Sequence, residues 1–250
     1  KNCWETYSDL MALLPKVVVG KSKGSIDRYG FFQLLAQQCE IKIPFRPFGE
    51  WTHGWSWDEQ PTSELFGFSK LRRNIPIVVC NKIEQQALKS EGFNNVHIGG
   101  LPFAYVKKQH KSRNPHSLLA FPPHSSENLN LINQQFEYLD FLVSLRNDFD
   151  GIYVSIFGHD WDGDLHEAAN RRGLKTVLGA HPNDLNSLYR TRSLLDAFSF
   201  VTSNTMGSHF IYALSADCHF SLCGPKYSYS EELPMASDIT KIAKNKYLEI

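Results

Sequence analysis

Residues 198–214 read FSFVTSNTMGSHFIYAL, a β-type run, a cluster of small polar residues and an apolar-periodic segment. This order is typical of a buried strand, a tight turn and a buried helix. Gly207 in the cluster lets backbone N–H groups approach a ligand closely, and the Ser and Thr hydroxyls around it can donate to phosphate oxygens. His209 follows within the first predicted helical turn. The stretch therefore predicts a strand–turn–helix unit of an α/β fold with an anion-binding turn.

The same alternation of short apolar runs and helical patterns extends over most of the chain. Strands are predicted at residues 16–19, 41–45, 75–80, 95–98, 118–121, 151–157, 175–178, 198–201 and 219–222. Helices are predicted at residues 26–39, 82–90, 127–145, 165–172, 184–197, 208–215 and 239–249. The strand runs are continuously apolar, which indicates parallel sheets covered on both faces. Helices between such strands are typical of βαβ units, so the sequence predicts an α/β protein.

Residues 100–115 interrupt this alternation. They contain Pro102, the basic run KKQHKSR at residues 107–113 and an Asn-Pro dipeptide, and the next predicted strand follows directly. Such proline-containing polar stretches are typical of linkers between domains. We therefore predict two α/β domains of similar size, residues 1–106 and 107–250.

Charge and cysteine content exclude several classes of protein. The 250 residues carry 26 Lys and Arg against 26 Asp and Glu, so no net field attracts nucleic acid. Five cysteines without a C-x-x-C pair support neither a disulfide framework nor a zinc ribbon. The sequence has no apolar run of about 18 residues and no signal-peptide pattern. We therefore expect a cytoplasmic protein in a reducing compartment that does not bind nucleic acid.

A second polar turn, PPHSSEN at residues 122–128, follows another predicted strand. His124, Ser125 and Ser126 lie just before a long predicted helix, and a helix N-terminus with hydroxyls can bind phosphate. His124 can add a hydrogen bond or a positive charge. Capping of the helix alone is the alternative, because Ser is a favoured N-cap residue. Two such turns after parallel strands are expected at one edge of the sheet, where ligands of open α/β sheets bind.

Histidines follow further predicted strands. His159 and His181 come directly after the strands that are predicted next along the chain. Because the carboxyl ends of parallel strands meet at one edge, these side chains are expected beside His124 and His209.

Three alternating aspartates, Asp160, Asp162 and Asp164, lie in the stretch IFGHDWDGDLHEA at residues 156–168. Clustered carboxylates suit a divalent cation, because hard cations prefer oxygen ligands. The spacing from Asp160 does not fit an EF-hand loop. A strand-to-helix turn in which Asp164 caps the helix is the alternative, and both interpretations stay open.

The first half contains an acidic and aromatic stretch, PFGEWTHGWSWDEQP at residues 47–61, in which Glu50, His53 and Asp58 interleave with three Trp residues. Indole rings stack on the C–H faces of sugars and carboxylates accept from hydroxyls, so the stretch suits carbohydrate. A loop that packs on its own domain is the alternative. Upstream, a glycine-rich turn lacks the P-loop and dinucleotide fingerprints, although its Asp27 can project into a cleft between domains.

Two blocks resemble a known family. The turn formed by Pro122, His124 and Ser125 opens the second predicted domain. VTSNTMGSHFIYALSADCHFSLCGP at residues 201–225 is similar to the SN-x-x-G-[ST]-H-x-x-YA region of enzymes that build capsule, O-antigen or lipopolysaccharide glycans. The chain thus resembles bacterial GT-B glycosyltransferases. The resemblance implies two Rossmann-like domains whose parallel sheets face a central cleft. It also implies a CMP-, UDP- or GDP-linked sugar in the second domain and a glycan or lipid-linked acceptor on the first.

The resemblance further implies roles for single residues. The donor is expected at polar residues of the second domain: His124, Ser125, Ser126, His159, His181, Ser203, Asn204, Gly207, Ser208 and His209. Candidates for the general base that deprotonates the acceptor lie in the first domain: His53, Asp27, Glu50 and Asp58. Neither a bound metal nor a permanently bound cofactor is expected, which assigns structural roles to the three aspartates.

Enzymes of this family are usually longer and end with a helix that crosses back to the first domain. We therefore expect a minimal version, a fragment, or part of a larger multidomain synthase, in the cytoplasm and peripheral to the inner membrane. Three other functions stay open: a sugar 2-epimerase-like enzyme on the same architecture, a metal-dependent hydrolase or transferase using the three aspartates, and a non-catalytic nucleotide-sugar-binding module.

Overall fold

The structure, a computed structural model, describes residues 4–20, 25–41, 48–125 and 130–226. These residues form two compact units. The large unit contains residues 4–20, 29–31, 106–125 and 130–226, and the small unit contains residues 25–28, 32–41 and 48–105. The chain changes unit between residues 105 and 106, one position from the predicted domain boundary.

Secondary structure alternates between helices and strands along the chain. The elements are α1 (Tyr7–Leu13), α2 (Phe31–Gln38), β1 (Glu50–Trp51), β2 (Ile77–Val79), α3 (Lys82–Ser90), β3 (Val96–Ile98), β4 (Asn114–Phe121), α4 (Ile132–Ser144), β5 (Gly151–Ile156), α5 (Gly158–Trp161), α6 (Asp164–Arg171), β6 (Lys175–Leu178), α7 (Ser187–Ala197), β7 (Phe198–Ser203), α8 (Ser208–Ser215) and β8 (His219–Leu222). Short 3-10 helices span Ser25–Gly30 and Pro102–Tyr105. The predicted α/β class is confirmed.

The large unit is built on a five-stranded parallel sheet in the order β6-β5-β4-β7-β8. In chain order the strands run 3-2-1-4-5, the arrangement of a doubly wound α/β sheet. Helices α4 and α6 bury Tyr138, Leu139 and Leu165 against the apolar side chains of β4 and β5, which form one hydrophobic core. The predicted apolar runs at residues 118–121 and 151–157 correspond to β4 and β5, the most buried strands of this sheet.

The N-terminal segment belongs to the large unit, whereas the prediction counted it with the first domain. Trp4 donates its indole N–H to the carbonyl of Ala197 at 3.0 Å. The hydroxyl of Tyr7 donates to the carbonyl of Thr176 at 2.8 Å. These long-range hydrogen bonds and the burial of Trp4 hold the segment against β6 and α7. No local sequence pattern predicts such contacts.

The strand predicted at residues 16–19 is wrong. This run makes a single antiparallel bridge, between Val19 and Asp184, and Val19 is 77% exposed. The N–H of Gly20 donates to the carbonyl of Asn183, so the run pairs with a loop. Its three consecutive valines favour extended backbone, but without a neighbouring strand they bury little surface.

Helix α4 begins at Ile132 with Leu131 as its N-cap residue, and the predicted start at residue 127 lies outside the described residues. The predicted strand at residues 41–45 lies mostly outside the described residues. The predicted helix at residues 239–249 lies wholly outside them.

The small unit contains a three-stranded parallel sheet in the order β1-β2-β3. Helix α3 connects β2 to β3 and buries Leu88 against Ile77, Val79 and Val96. Asn81 caps α3 by accepting from the N–H of Glu84. Strand β1 has two residues and lies directly before the aromatic loop, so the loop starts at the carboxyl edge of this sheet.

Within the four described ranges, no helix combines the length and the hydrophobicity needed to cross a bilayer.

Candidate functional site

The strand order of the large unit reverses between β4 and β7. The chain leaves β4 toward β5 and β6, then crosses back so that β7 lies on the other side of β4. Ligands of open α/β sheets bind at such a switch point, outside the carboxyl ends of the strands. The two polar turns predicted from sequence, residues 122–125 and 204–207, directly follow these two strands. The structure therefore places both turns at the switch point.

Ser203 links the two turns. Its hydroxyl donates to the carbonyl of Phe121 at 2.7 Å and accepts from the N–H of Thr205 at 3.1 Å. Ser203 is fully buried. The hydroxyl therefore links the turn after β7 to the end of β4 by hydrogen bonds, whereas the sequence suggested that it contacts a ligand.

His209 packs behind the same turn. Its ring stacks on Phe121, with ring centres 5.4 Å apart and planes 12° apart, and also contacts Phe220. His209 Nε2 lies 3.0 Å from the carbonyl oxygen of Thr205, so Nε2 carries the proton and Nδ1 is left as an acceptor. Burial lowers the pKa of His209 to about 4. The imidazole is therefore neutral at neutral pH and contributes shape and an acceptor, not a positive charge.

Gly207 opens helix α8 as its N-cap residue, without a side-chain cap. A Cβ atom at Gly207 would lie 2.9 Å from Nδ1 of His209, closer than real Cβ contacts. Glycine therefore leaves room for the imidazole at the start of α8. A helix N-terminus of this kind favours an anion.

Asn204 supplies a second polar group at the end of β7. Its amide nitrogen donates to the carbonyl of Pro225 at 3.0 Å. Its side-chain oxygen is buried and accepts a hydrogen bond from none of the described residues. A buried acceptor without a donor costs free energy, so this oxygen favours a ligand that carries an N–H or O–H group.

The other predicted histidines form a row along this edge. His124, after β4, stacks on Phe157 with ring centres 4.3 Å apart, and Phe157 contacts His159 after β5 at 5.6 Å. A Cβ atom at Gly158 would lie 2.2 Å from the ring of His181, so His181 packs closely on that backbone. His124 and His159 are exposed. The structure thus brings the histidines to one edge, as the strand pattern predicted.

Asp160 organises the turn after β4. Its carboxylate accepts from the N–H of Ser125 at 3.0 Å and from the side-chain amide of Gln135 at 3.0 Å. The Ser125 hydroxyl accepts from the N–H of Leu131. The Ser125 N–H is thus engaged within the protein, whereas its hydroxyl, which acts as the acceptor in the bond from Leu131, can still donate its own hydrogen to a phosphate oxygen. Ser126 lies outside the described residues.

The three aspartates have different surroundings. Asp162 and Asp164 are exposed, and Asp164 is the first residue of α6 after the N-cap Gly163. The described residues contain no group of three or more His, Cys, Asp or Glu side chains placed to hold a metal ion. Asp160 holds the turn after β4 through its hydrogen bond from Ser125.

The candidate base residues lie in the small unit. Glu50 is in β1, exposed His53 and half-buried Asp58 are in the loop after it, and Asp27 is in the first 3-10 helix. Asp58 accepts from the N–H of Gln60 at 2.8 Å. His53 and Asp58 thus share one loop at the carboxyl edge of the small sheet.

A buried carboxylate that the sequence analysis did not single out holds this loop. Glu84 Oε2 accepts from the N–H of Cys80 at 2.9 Å and from the hydroxyl of Thr52 at 3.2 Å, and the N–H of Ser56 also donates to this carboxyl. Burial raises the pKa of Glu84, although these hydrogen bonds oppose the shift. The N-x-x-E spacing from Asn81 signals a capped helix start. The links to the loop depend on the fold and leave no local signal.

Comparison with models of known protein families, with curated proteins and with solved structures gives no match. A functional assignment therefore depends on the chemistry of the site.

Proposed function

We propose that this protein is a glycosyltransferase that moves a sugar from a nucleotide-sugar donor to a glycan or lipid-linked acceptor in bacterial surface polysaccharide synthesis. In this proposal the two units form a GT-B arrangement, with the donor on the large unit and the acceptor on the small unit. The observation that carries the proposal is the pair of polar turns at the switch point of a doubly wound sheet, one of them opening α8 at Gly207.

Backbone and imidazole groups would neutralise the donor phosphates. The turns at the carboxyl ends of β4 to β7 contain no Lys or Arg: residues 122–125, 157–163, 179–186 and 204–207. The N-terminus of α8 carries a partial positive charge, and exposed His124 lies at the neighbouring turn. These groups are suited to stabilise the nucleoside diphosphate or monophosphate as it leaves the sugar.

The acceptor side would use the loop after β1. In an inverting reaction a general base removes the proton of the acceptor hydroxyl while its oxygen bonds to the anomeric carbon and the bond to phosphate breaks. His53 and Asp27 are the preferred candidates for this base, ahead of Glu50 and Asp58. Trp55 and Trp57 belong to the same loop as His53. Their ring centres lie 6.2 Å apart, and indole faces of this kind suit a sugar ring.

A thermal-shift screen with CMP-, UDP- and GDP-sugars tests the donor site. A ligand at about 100 times its dissociation constant stabilises the folded protein by about 2.7 kcal/mol. Gly207→Ala should abolish that shift, because the added methyl group meets the His209 ring. Gly163→Ala is the matched control: this glycine is also a helix N-cap, and its Cβ would meet its nearest neighbour at an ordinary 3.5 Å. A melt that no nucleotide-sugar moves, or an equal shift in Gly207→Ala, rejects the proposal.

Turnover separates an enzyme from a binding module. Incubation with the stabilising nucleotide-sugar, with and without EDTA, should release free nucleotide at the same rate. Nucleotide-sugar binding without release would support a binding module instead. Formation of an epimeric nucleotide-sugar without an acceptor would support the epimerase alternative.

A further inference from the structure

A cavity of about 240 Å³ lies in the large unit at the amino ends of β5 and β6, on the opposite edge of the sheet from the switch point. The lining residues come from the turn before β5, the turn between α6 and β6, and the first residues of these two strands: Arg146, Phe149, Asp150, Gly151, Ile152, Gly173, Leu174 and Lys175. None of these residues belongs to the proposed donor or acceptor sites.

Two cations flank this cavity, each lying against a glycine. A Cβ atom at Gly173 would be 2.9 Å from a terminal nitrogen of Arg146, and one at Gly151 would be 3.6 Å from Nζ of Lys175. Gly173 also has a φ of +69°, which favours glycine. The absence of side chains at these positions lets the two positive groups lie close to the backbone.

Lys175 is held in place. Its Nζ donates to the hydroxyl of Tyr153 at 3.0 Å and lies 4.9 Å from the centre of the same ring. Tyr153 is itself buried against Trp4 and Phe198. An ammonium group has three donors, so two remain for a ligand. A cation that the fold already orders costs less entropy to engage than a free side chain.

The charge of the cavity is positive. Among the described residues, neither Arg146 nor Lys175 takes part in an ion pair. Asp150 contributes the one carboxylate of the lining, so one positive charge is left uncompensated. Arg146, Asp150 and Lys175 are exposed, and buried Ile152 and Leu174 form the apolar part of the lining.

We propose that this cavity binds a phosphoryl group, either free phosphate or the phosphate of a small sugar phosphate. A tetrahedral dianion can accept from the forked guanidinium of Arg146 and from the ammonium of Lys175 at once. Asp150 can accept from a hydroxyl of the phosphorylated molecule. This site is independent of the proposed transferase activity, because it lies at the other edge of the sheet.

Calorimetric titration at constant ionic strength tests the site, with inorganic phosphate in one arm and glucose 1-phosphate in the other. Both should bind the wild-type protein, and Arg146→Gln and Lys175→Gln should each weaken binding roughly tenfold or more. Gln at position 175 still offers an N–H donor to the Tyr153 hydroxyl, so the aromatic packing is kept. Arg171→Gln is the control, because Arg171 is exposed and pairs with Glu167 outside the cavity.

Tighter binding of glucose 1-phosphate than of phosphate identifies a sugar phosphate as the ligand, and equal affinities identify free phosphate. The proposal is overturned if neither ligand produces binding heat with the wild-type protein up to roughly 10 mM. It is also overturned if Arg146→Gln and Lys175→Gln bind the ligands as tightly as the wild type does. The donor-site variant Gly207→Ala should keep full affinity for phosphate. Its result separates a failure of this site from a failure of the proposed transferase.

Discussion

Acidification should destabilise the large unit through His209. The ring is packed on Phe121 and Phe220, and burial lowers its pKa to about 4. In the unfolded chain a histidine has a pKa of about 6.5. Between these two pKa values the histidine is protonated in the unfolded state and neutral in the folded state. Stability from this group is fully present above the unfolded pKa and is lost as the pH falls toward the folded one.

The magnitude follows from the two pKa values. A difference of about 2.5 pKa units corresponds to roughly 3 kcal/mol over the whole range, at about 1.36 kcal/mol per unit. Between about pH 7 and about pH 5 the loss from His209 is about 2 kcal/mol, because the unfolded state is largely protonated at the lower pH and the folded state is not.

Urea denaturation at these two pH values, followed by circular dichroism, measures this loss. The other titrating groups act in the wild type and in His209→Gln alike, so the difference between the two proteins isolates the imidazole. His209→Gln should lose about 2 kcal/mol less than the wild type on acidification. The control His116→Gln removes an exposed histidine of the same unit and should behave as the wild type does. An equal loss in His209→Gln and the wild type would show that the ring protonates freely in the folded protein, and the packing argument would fail.

Three other changes have defined outcomes. Glu84→Ala should lower the free energy of unfolding of the small unit by about 3 kcal/mol, because it leaves buried donors without a partner. The control Glu64→Ala, at an exposed residue, should change it little, and equal urea midpoints for Glu84→Ala and the wild type would contradict the assigned hydrogen bonds. Asp217→Gly should raise the free energy of unfolding by about 1 kcal/mol in thermal melts, because Asp217 follows α8 with a φ of 58°, a backbone conformation that strains residues other than glycine. A lower melting temperature in this variant would contradict strain at Asp217. Burial raises the pKa of Cys80 to about 12, so its thiol should react slowly with iodoacetamide at about pH 8. Peptide mass spectrometry of the native protein should find alkylation at exposed Cys39 and not at Cys80, and rapid labelling of Cys80 would refute its burial.

Local patterns in the sequence predicted four elements with the bounds that the structure has. Helices α3 and α8 and strands β6 and β8 coincide with their predictions. Each of them depends on information within a few residues: apolar periodicity, an N-cap such as Asn81, or a turn with Gly207. Strand β1 was missed, because two residues are too short to carry a period.

The candidate site was predictable in part. The position of polar turns after strands placed the histidines and Gly207 at one sheet edge, because parallel strands put all their carboxyl ends together. The state of each side chain was not predictable. Ser203 and Ser125 have hydrogen-bond partners within the protein, and Asp160 is one of those partners. These bonds join residues that are 35 or more positions apart, and local patterns do not report such pairs.

The sequence by itself determined the α/β class, the parallel character of the strands and the presence of two polar turns that suit an anion, because these depend on residue types and short-range periodicity. The tertiary structure decided that β7 lies beside β4, that residues 4–20 pack on the large sheet, and that His209 is neutral. The physical reason is that strand order, burial and a buried group's pKa depend on neighbours that the fold brings from distant parts of the chain.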